Sequence, residues 1–312
     1  MDTFVVADIG GTQIRAAVFQ TGNPNPIVVK KIRTKDKLQT PTERLIGLFK
    51  EIWPSEQKVK AIVVAVPGYL DKNEGIVFEA PNVPGWIDLP LRKLLADQFH
   101  VPILLGNDAN LAAMGEWRYG VGKGHNNLLY LTISTGIGGG ALVNGRLMEG
   151  HRGLAGEFGH FTVIPDGPLC GCGHRGHLEA VAAGPAIARY VSERIALGAK
   201  SSLETVNNLT AAEVSQAAQA GDALAIQAIT RAGTYIGHTL ADFIHLFNPS
   251  IVILGGGVMA SGDLILDPIK KAMPEYILGH SYLDQMQIVT ASLGDNAGLI
   301  GALALAETTD FG

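Results

Sequence analysis

The sequence predicts an α/β protein with two lobes, and three observations carry that prediction. The chain has 312 residues, 47% of them hydrophobic and 17% charged, which suits a compact protein large enough to build two lobes around a buried cleft. Strands alternate with helices, the order that gives an α/β domain. A strand, glycine turn, strand unit occurs twice, which suggests a duplicated architecture with one nucleotide-handling loop in each lobe.

Taken in order, Phe4 to Phe19 reads as a strand (FVVAD), a turn (IGGT) and a second strand (IRAAVF), because flexible glycines at a sharp reversal separate two β-rich runs. From Glu43 to Trp53, Leu45, Ile46, Leu48, Phe49 and Ile52 fall at the spacing of an amphipathic helix. The strand AIVVAVPG follows, ended by Pro67-Gly68, then a helix from Leu91 to Phe99 and the strand VPILLG. The uncharged run from Gly124 to Gly145 is long enough to raise the question of a bilayer helix, but its glycines, asparagines and hydroxyls suit a hairpin. Within it, LLYLTIS, TGIGGG and ALVNGRL repeat the opening plan, and Asn144-Gly145 is itself a hairpin signal. After Gly184 the chain turns alanine-rich and helical, through 211–220 and 223–247, before the strand SIVILGGG. A last helix over 296–306 is expected to be capped by Asp295 or Asn296. No low-complexity linker appears, so the lobes are expected to share an intimate hinge.

Composition narrows the function. The net charge of -5 is modest and the basic residues are scattered, so the electrostatic footprint of a nucleic-acid binder is missing. The start MDTFVVADIGGT lacks a basic n-region and Asp8 interrupts its apolar run, which points to a cytoplasmic protein with no membrane partner. The two cysteines, Cys170 and Cys172, are one residue apart. A disulfide there would close a tiny strained ring, so metal binding is the better use of the pair.

Several segments carry chemistry. Asp8, Gly10, Gly11 and Thr12 sit at a strand end, where bare backbone amides can approach a phosphate and the carboxylate can reach a phosphate-bound Mg²⁺. An ordinary tight hairpin is the alternative. Ser134, Thr135, Gly136 and Gly138 in the second loop offer hydroxyls and amides of the same kind. Gly255, Gly256 and Gly257 follow the strand IVIL and precede a predicted helix, so an adenosine or a phosphate can approach the backbone there. That run also fits GxGxxA and keeps a dinucleotide-binding reading open. A GxxxxGK[ST] loop is absent, which argues against a P-loop kinase. Asp108, in Asn107-Asp108-Ala109-Asn110, stands where a strand feeds a helix. Two roles fit it: helix N-cap, or a base that takes the proton of an attacking hydroxyl in phosphoryl transfer.

The densest cluster runs from Glu157 and His160 to Cys170, Cys172, His177 and Glu179. His160, Cys170, Cys172 and His177 form a Cys₂His₂ set fit for tetrahedral Zn²⁺, with no position left for a metal-bound water, so the zinc is expected to be structural. His174 competes as the fourth ligand. Glu157 and Glu179 flank the set, and carboxylates in a cleft accept sugar hydroxyls.

These segments together resemble the repressor, open-reading-frame and kinase (ROK) family: DxGGT near the start, PNVPGW at Pro81 to Trp86, NDAN at Asn107, STGIGGG, ExGH at Glu157, CGCGxxG before Glu179, and GGG at Gly255. The resemblance runs in order over essentially the whole chain, and it is closest to the family's glucokinases. It implies a two-lobed ribonuclease H-like fold of the actin and hexokinase type, with central mixed sheets and with ATP and sugar bound between the lobes. The small lobe would span 1–118, completed by the C-terminal helix 296–312, and the large lobe 119–295. It further implies that Asp108 is the base toward the sugar 6-hydroxyl, that Asn82, Asn107, Asp108, Glu157, His160 and Glu179 hold the sugar, and that the protein is a homodimer using MgATP. The commonest family pattern has a third cysteine where this chain has His177, and imidazole is an acceptable zinc ligand. Family repressors carry a helix-turn-helix domain before the sugar-binding part, and with DIGGT at residue 8 none is expected here. Glu157 in AGEFGH favours a sugar with a free 2-hydroxyl, as in glucose. Fructose, mannose, N-acetylglucosamine, N-acetylmannosamine and allose are the competing sugars, polyphosphate the competing donor, and a non-catalytic sugar sensor the competing class.

Overall fold

The structure is a computed structural model and describes residues 1–311. The chain first forms β1 (Thr3–Ile9), β2 (Gln13–Gln20), β3 (Val28–Arg33), α1 (Pro41–Ile52), β4 (Val59–Val66), β5 (Tyr69–Asp71), β6 (Ile76–Glu79), β7 (Ile87–Leu89), α2 (Leu91–Phe99), β8 (Ile103–Asn107) and α3 (Asp108–Tyr119). It continues through β9 (Leu128–Ile133), β10 (Ile137–Val143), β11 (Arg146–Leu147), α4 (Leu178–Ala182), α5 (Gly184–Ala196), α6 (Ala211–Gln219) and α7 (Ala223–Phe247). It closes with β12 (Ile251–Gly255), α8 (Asp263–Ala272), β13 (Gln287–Thr290) and α9 (Ala297–Thr308). The fold is mixed α/β, and the chain divides into two compact units. The first comprises Met1–His125, Gly140–Gly156 and the segment from Ala291 onward; the second comprises Asn126–Gly139 and Glu157–Thr290.

In the first unit a five-stranded sheet has the order β3-β2-β1-β4-β8, with β1 antiparallel to β2 and parallel to β4. Because side chains alternate along a strand, β1 and β4 serve two cores at once. Val5, Ala7, Ile9, Ile62 and Val64 pack with Leu45, Phe49, Leu91 and Leu95 of α1 and α2. Phe4, Val6, Ala61 and Val63 pack with Leu111 and Met114 of α3 and Leu299, Ala302 and Leu303 of α9. Thr40 and Glu43 close a reciprocal capping box on α1, satisfying two of its orphan N–H groups. A small antiparallel sheet, β5-β6-β7, lies beside α2 and β8; its strands of three and four residues were too short to stand out as periodic runs.

Helices α3 and α9 approach backbone to backbone. A Cβ on Gly115 would stand 3.0 Å from the Ala297 carbonyl oxygen and from the Gly301 nitrogen, and a Cβ on Gly301 would overlap the Leu111 carbonyl. α9 is buried along nearly its whole surface, so its pattern is apolar all round rather than amphipathic. Asn296 stands at its N-cap, but the side chain accepts no backbone N–H. The cap expected from Asp295 or Asn296 is therefore replaced by a 3-10 turn over Gly294–Asn296 that leads into the helix.

The second sheet has the order β11-β10-β9-β12-β13, with β12 parallel to both β9 and β13. β10 and β11 form a two-residue hairpin in which Asn144 and Gly145 adopt φ of 53° and 72°, the left-handed pair that a type I′ turn demands. In the second unit α7 runs 25 residues from its N-cap Asp222 to Asn248, which closes the helix in the left-handed conformation at φ 41°. Among the described residues no helix is long and apolar enough to cross a membrane.

Candidate active site

In the first unit, β8 delivers Asn107 and Asp108 to the head of α3. Asn107, not Asp108, is the N-cap: its backbone is extended (φ -62°, ψ 139°) and its Oδ1 accepts the Asn110 N–H at 3.0 Å. The Asn107 amide also donates to the Gly68 carbonyl at 3.0 Å. Asp108 is the first helical residue, with its Oδ1 2.8 Å from the Ala109 nitrogen. The capping role that competes for Asp108 in the sequence thus falls on its neighbour. Its side chain is half-buried in the first turn of a twelve-residue helix.

The opening turn is built as the motif predicts. Gly10 donates to the Gln13 carbonyl at 2.8 Å, closing the reversal between β1 and β2. Gly11 has no room for a side chain, since a Cβ would lie 2.7 Å from Asn82 Cβ. The structure therefore brings the Asp8 to Thr12 turn and Asn82 together. Asp8 pairs with Arg15 at 2.5 Å, its direct cross-strand partner in the β1–β2 register.

In the second unit, Glu179 sits in the first turn of α4 and its Oε2 accepts the Ile137 N–H at 3.0 Å. A Cβ on Gly136 would push that oxygen aside. The carboxylate is thus pinned against the Ser134 to Gly138 turn. Glu157 precedes a 3-10 turn over Phe158–His160. Its side chain is half exposed, yet burial of its carboxyl raises its pKa, with Glu179 adding to the rise and His160 opposing it. His160 Nε2 lies 3.9 Å from Glu157 Oε2.

His160 turns its other nitrogen to a metal-like cluster. The ligand atoms of His160, Cys170, Cys172 and His177 all lie within 4.8 Å of one another. Nδ1 of His160 is 3.3 Å from Nδ1 of His177, Cys172 Sγ is 3.2 Å from His177 Nδ1, and Cys170 Sγ is 3.8 Å from His160 Nδ1. A tetrahedron with Zn–N near about 2.0 Å and Zn–S near about 2.3 Å has edges of roughly 3.3 to 3.8 Å, so the donor set fits zinc. Burial, joined by Cys172 and Glu179, pushes the Cys170 thiol up to about 11, so a thiolate there needs a cation beside it. Burial and then the neighbouring histidines lower the His177 pKa, which keeps the imidazole neutral as a ligand requires. His174 lies outside the four-residue set.

The Ser134-Thr135 turn and Gly257 line one open cavity of 930 Å³ in this unit, walled by Pro185, Ala188 and Arg189 of α5, by Val206 and Asn208 to Ala212, and by Ser215 and Gln216 of α6. The sequence reading missed the α5 and α6 walls. The signals available were Gly184-Pro185, a helix start, and the Thr210–Glu213 capping box. Gly256, at φ 89°, presses on the Ile133 backbone and tolerates no side chain. The chain after it forms a 3-10 turn over Gly257–Ser261, and α8 begins only at Asp263. A dinucleotide fingerprint needs a helix opening directly from the glycines, so that reading fails.

The profile of the ROK family matches residues 5–309. A glucokinase of Streptomyces coelicolor is 35% identical over 99% of this chain and 99% of its own length. The crystal structure of a ROK family glucokinase from Streptomyces griseus in complex with glucose and AMPPNP superposes with a TM-score of 0.82 at 34% identity, covering 97% of this chain and 98% of that one. A xylose repressor of Bacillus spizizenii is 35% identical over 77% of this chain and 59% of its own.

Proposed function

The chain belongs to the ROK family, and from that premise we propose that it is a glucokinase that transfers the terminal phosphoryl group of MgATP to the 6-hydroxyl of glucose, with Asp108 as general base. The observation that carries this reading is the placement of Asp108 at the first helical position of α3, at the end of β8, with the N-cap role taken by Asn107. As the 6-hydroxyl oxygen bonds to the γ-phosphorus and ADP leaves, Asp108 accepts the hydroxyl proton. Asn82, Asn107, Glu157, His160 and Glu179 hold the sugar hydroxyls; Glu157 favours a free 2-hydroxyl. Asp8 with the amides of Gly10, Gly11 and Thr12, and the turn carrying Ser134, Thr135, Gly136 and Gly138, hold the phosphates and their Mg²⁺. Gly255, Gly256 and Gly257 receive the nucleoside, consistent with the cavity that Gly257 lines.

The Cys170–Cys172–His160–His177 set would hold a zinc ion, whose contribution is to cross-link its loop and keep His160 Nε2 turned away from the metal. We place the enzyme in the cytoplasm as a homodimer, on the family resemblance.

ADP release from MgATP across glucose, mannose, fructose, N-acetylglucosamine and N-acetylmannosamine tests the substrate, with polyphosphate as the alternative donor. Glucose with ATP is expected to dominate. Asp108→Ala is expected to lower turnover about 10²- to 10⁴-fold with glucose binding largely retained and the protein still folded; full activity would refute the mechanism. The likeness to the xylose repressor supports a second reading, a sugar sensor. It takes the lead if zinc-loaded protein binds glucose and leaves ATP intact.

A further inference from the structure

Near opposite ends of the chain, Gly298 and Asp8 touch so closely that a side chain at position 298 forces one of them to move. A Cβ on Gly298 would stand 2.6 Å from both Asp8 Cγ and Asp8 Oδ2 and 2.9 Å from Oδ1, and these carboxyl atoms are its three nearest neighbours. Real Cβ atoms do not come so close, so either α9 or the carboxylate must yield.

α9 is held close beside this contact. Gly115 and Gly301 lock it to α3 through backbone contact. The turn that feeds it is anchored by Glu116, which is fully buried and accepts the Ser292 N–H at 2.8 Å, the Leu293 N–H at 2.8 Å and the Ser292 hydroxyl at 3.0 Å. Breaking a buried, fully satisfied carboxylate is costly, so the helix has no easy retreat. On its other side the Asp8 carboxylate is gripped by Arg15 at 2.5 Å. Any added atom at position 298 therefore displaces the carboxylate from that grip.

We infer that Gly298 is a positioning residue for Asp8, fixing the carboxylate from the helix side while Arg15 fixes it from the strand side. The inference rests on the role proposed above for Asp8, as the carboxylate that reaches the phosphate-bound Mg²⁺. Helix propensity alone makes the opposite forecast, because Gly→Ala inside a helix is normally favourable; the Asp8 contact reverses it.

Two measurements test this. With glucose and ATP saturating, Gly298→Ala is expected to raise the Mg²⁺ concentration for half-maximal turnover by about tenfold or more, the usual effect of losing a group that orients a metal-binding carboxylate. The KM for glucose stays at the wild-type value. In metal-free protein, Gly298→Ala is expected to lower the melting temperature in the wild-type background and to leave it unchanged or raise it in an Asp8→Ala background. A Gly298→Ala chain that fails to fold alone but folds together with Asp8→Ala supports the contact equally. Wild-type Mg²⁺ dependence, or the same melting shift in both backgrounds, overturns the inference. Wild-type turnover in Asp8→Ala alone instead removes the role proposed for Asp8, while the paired melts still report on the contact.

Discussion

Asn107 and Asp108 are adjacent, both are good helix caps, and the sequence offered no means of choosing between them. Backbone conformation decides: the residue that stays extended while its carbonyl starts the ladder is the cap, and that is Asn107. A carboxylate does perform the cap at Asp222. There burial raises the pKa, but the N–H groups of Ala225 and Ser202 and the hydroxyls of Ser201 and Ser202 outweigh it and bring the group down to about 2. A carboxyl whose folded value lies below its unfolded value of about 3.9 stabilises the fold fully above about pH 4 and loses that contribution as pH falls through 2. Asp222→Asn, which keeps a capping oxygen but removes the charge, is therefore expected to cost about 1–2 kcal/mol near neutrality. The gap to wild type, followed by urea denaturation, is expected to close between pH 4 and pH 2; a gap independent of pH would show that the charge contributes nothing.

The elements most legible in the sequence were those whose signals are local. The helix over 91–99, the long helix over 223–247 and the Asn144-Gly145 hairpin all declare themselves within a few residues. So do the four zinc-type ligands, because one loop carries them all. That loop has little regular structure of its own beyond the bridges Thr162–His177 and Leu169–Arg175, so it needs its cross-link. His177→Cys is expected to retain one zinc per chain by metal analysis. His177→Ala is expected to lose it, with faster amide exchange over 160–177 and weaker glucose binding, since Glu179 follows two residues on. Less legible was the meeting of α3 and α9, which depends on glycines far apart in the chain. Gly301→Ala gains helix propensity of about 1 kcal/mol but drives a methyl into the Leu111 carbonyl. Overpacking of this kind costs about 1–3 kcal/mol, so the variant is expected to melt below wild type; a higher melting temperature would mean that the helices separate freely.

At the scale of the molecule, residue patterning alone leaves open what only the family resemblance supplied, that the segment from Ala291 onward belongs with the first residues of the chain. Hydrophobic pattern identified a final helix, but no periodicity says which core it enters. The answer lies in complementary burial: β1 and β4 turn Phe4, Val6, Ala61 and Val63 to one side of their sheet, and Leu299, Ala302, Leu303 and Ala306 of α9 cover them. Fully burying a leucine-sized side chain is worth about 1.5–3 kcal/mol, and losing two such leucines with their neighbours approaches the whole stability of an ordinary domain, about 5–15 kcal/mol. Ending the chain after Thr290 is thus expected to unfold the first unit rather than trim the second, although Thr290 closes a strand of the second. Amide exchange on the truncated chain checks this: β1 and β4 are expected to lose protection while β9 and β12 keep theirs and the Cys170 to His177 loop still binds zinc. Protection lost equally across all four strands would mean instead that the two units fold as a single cooperative block.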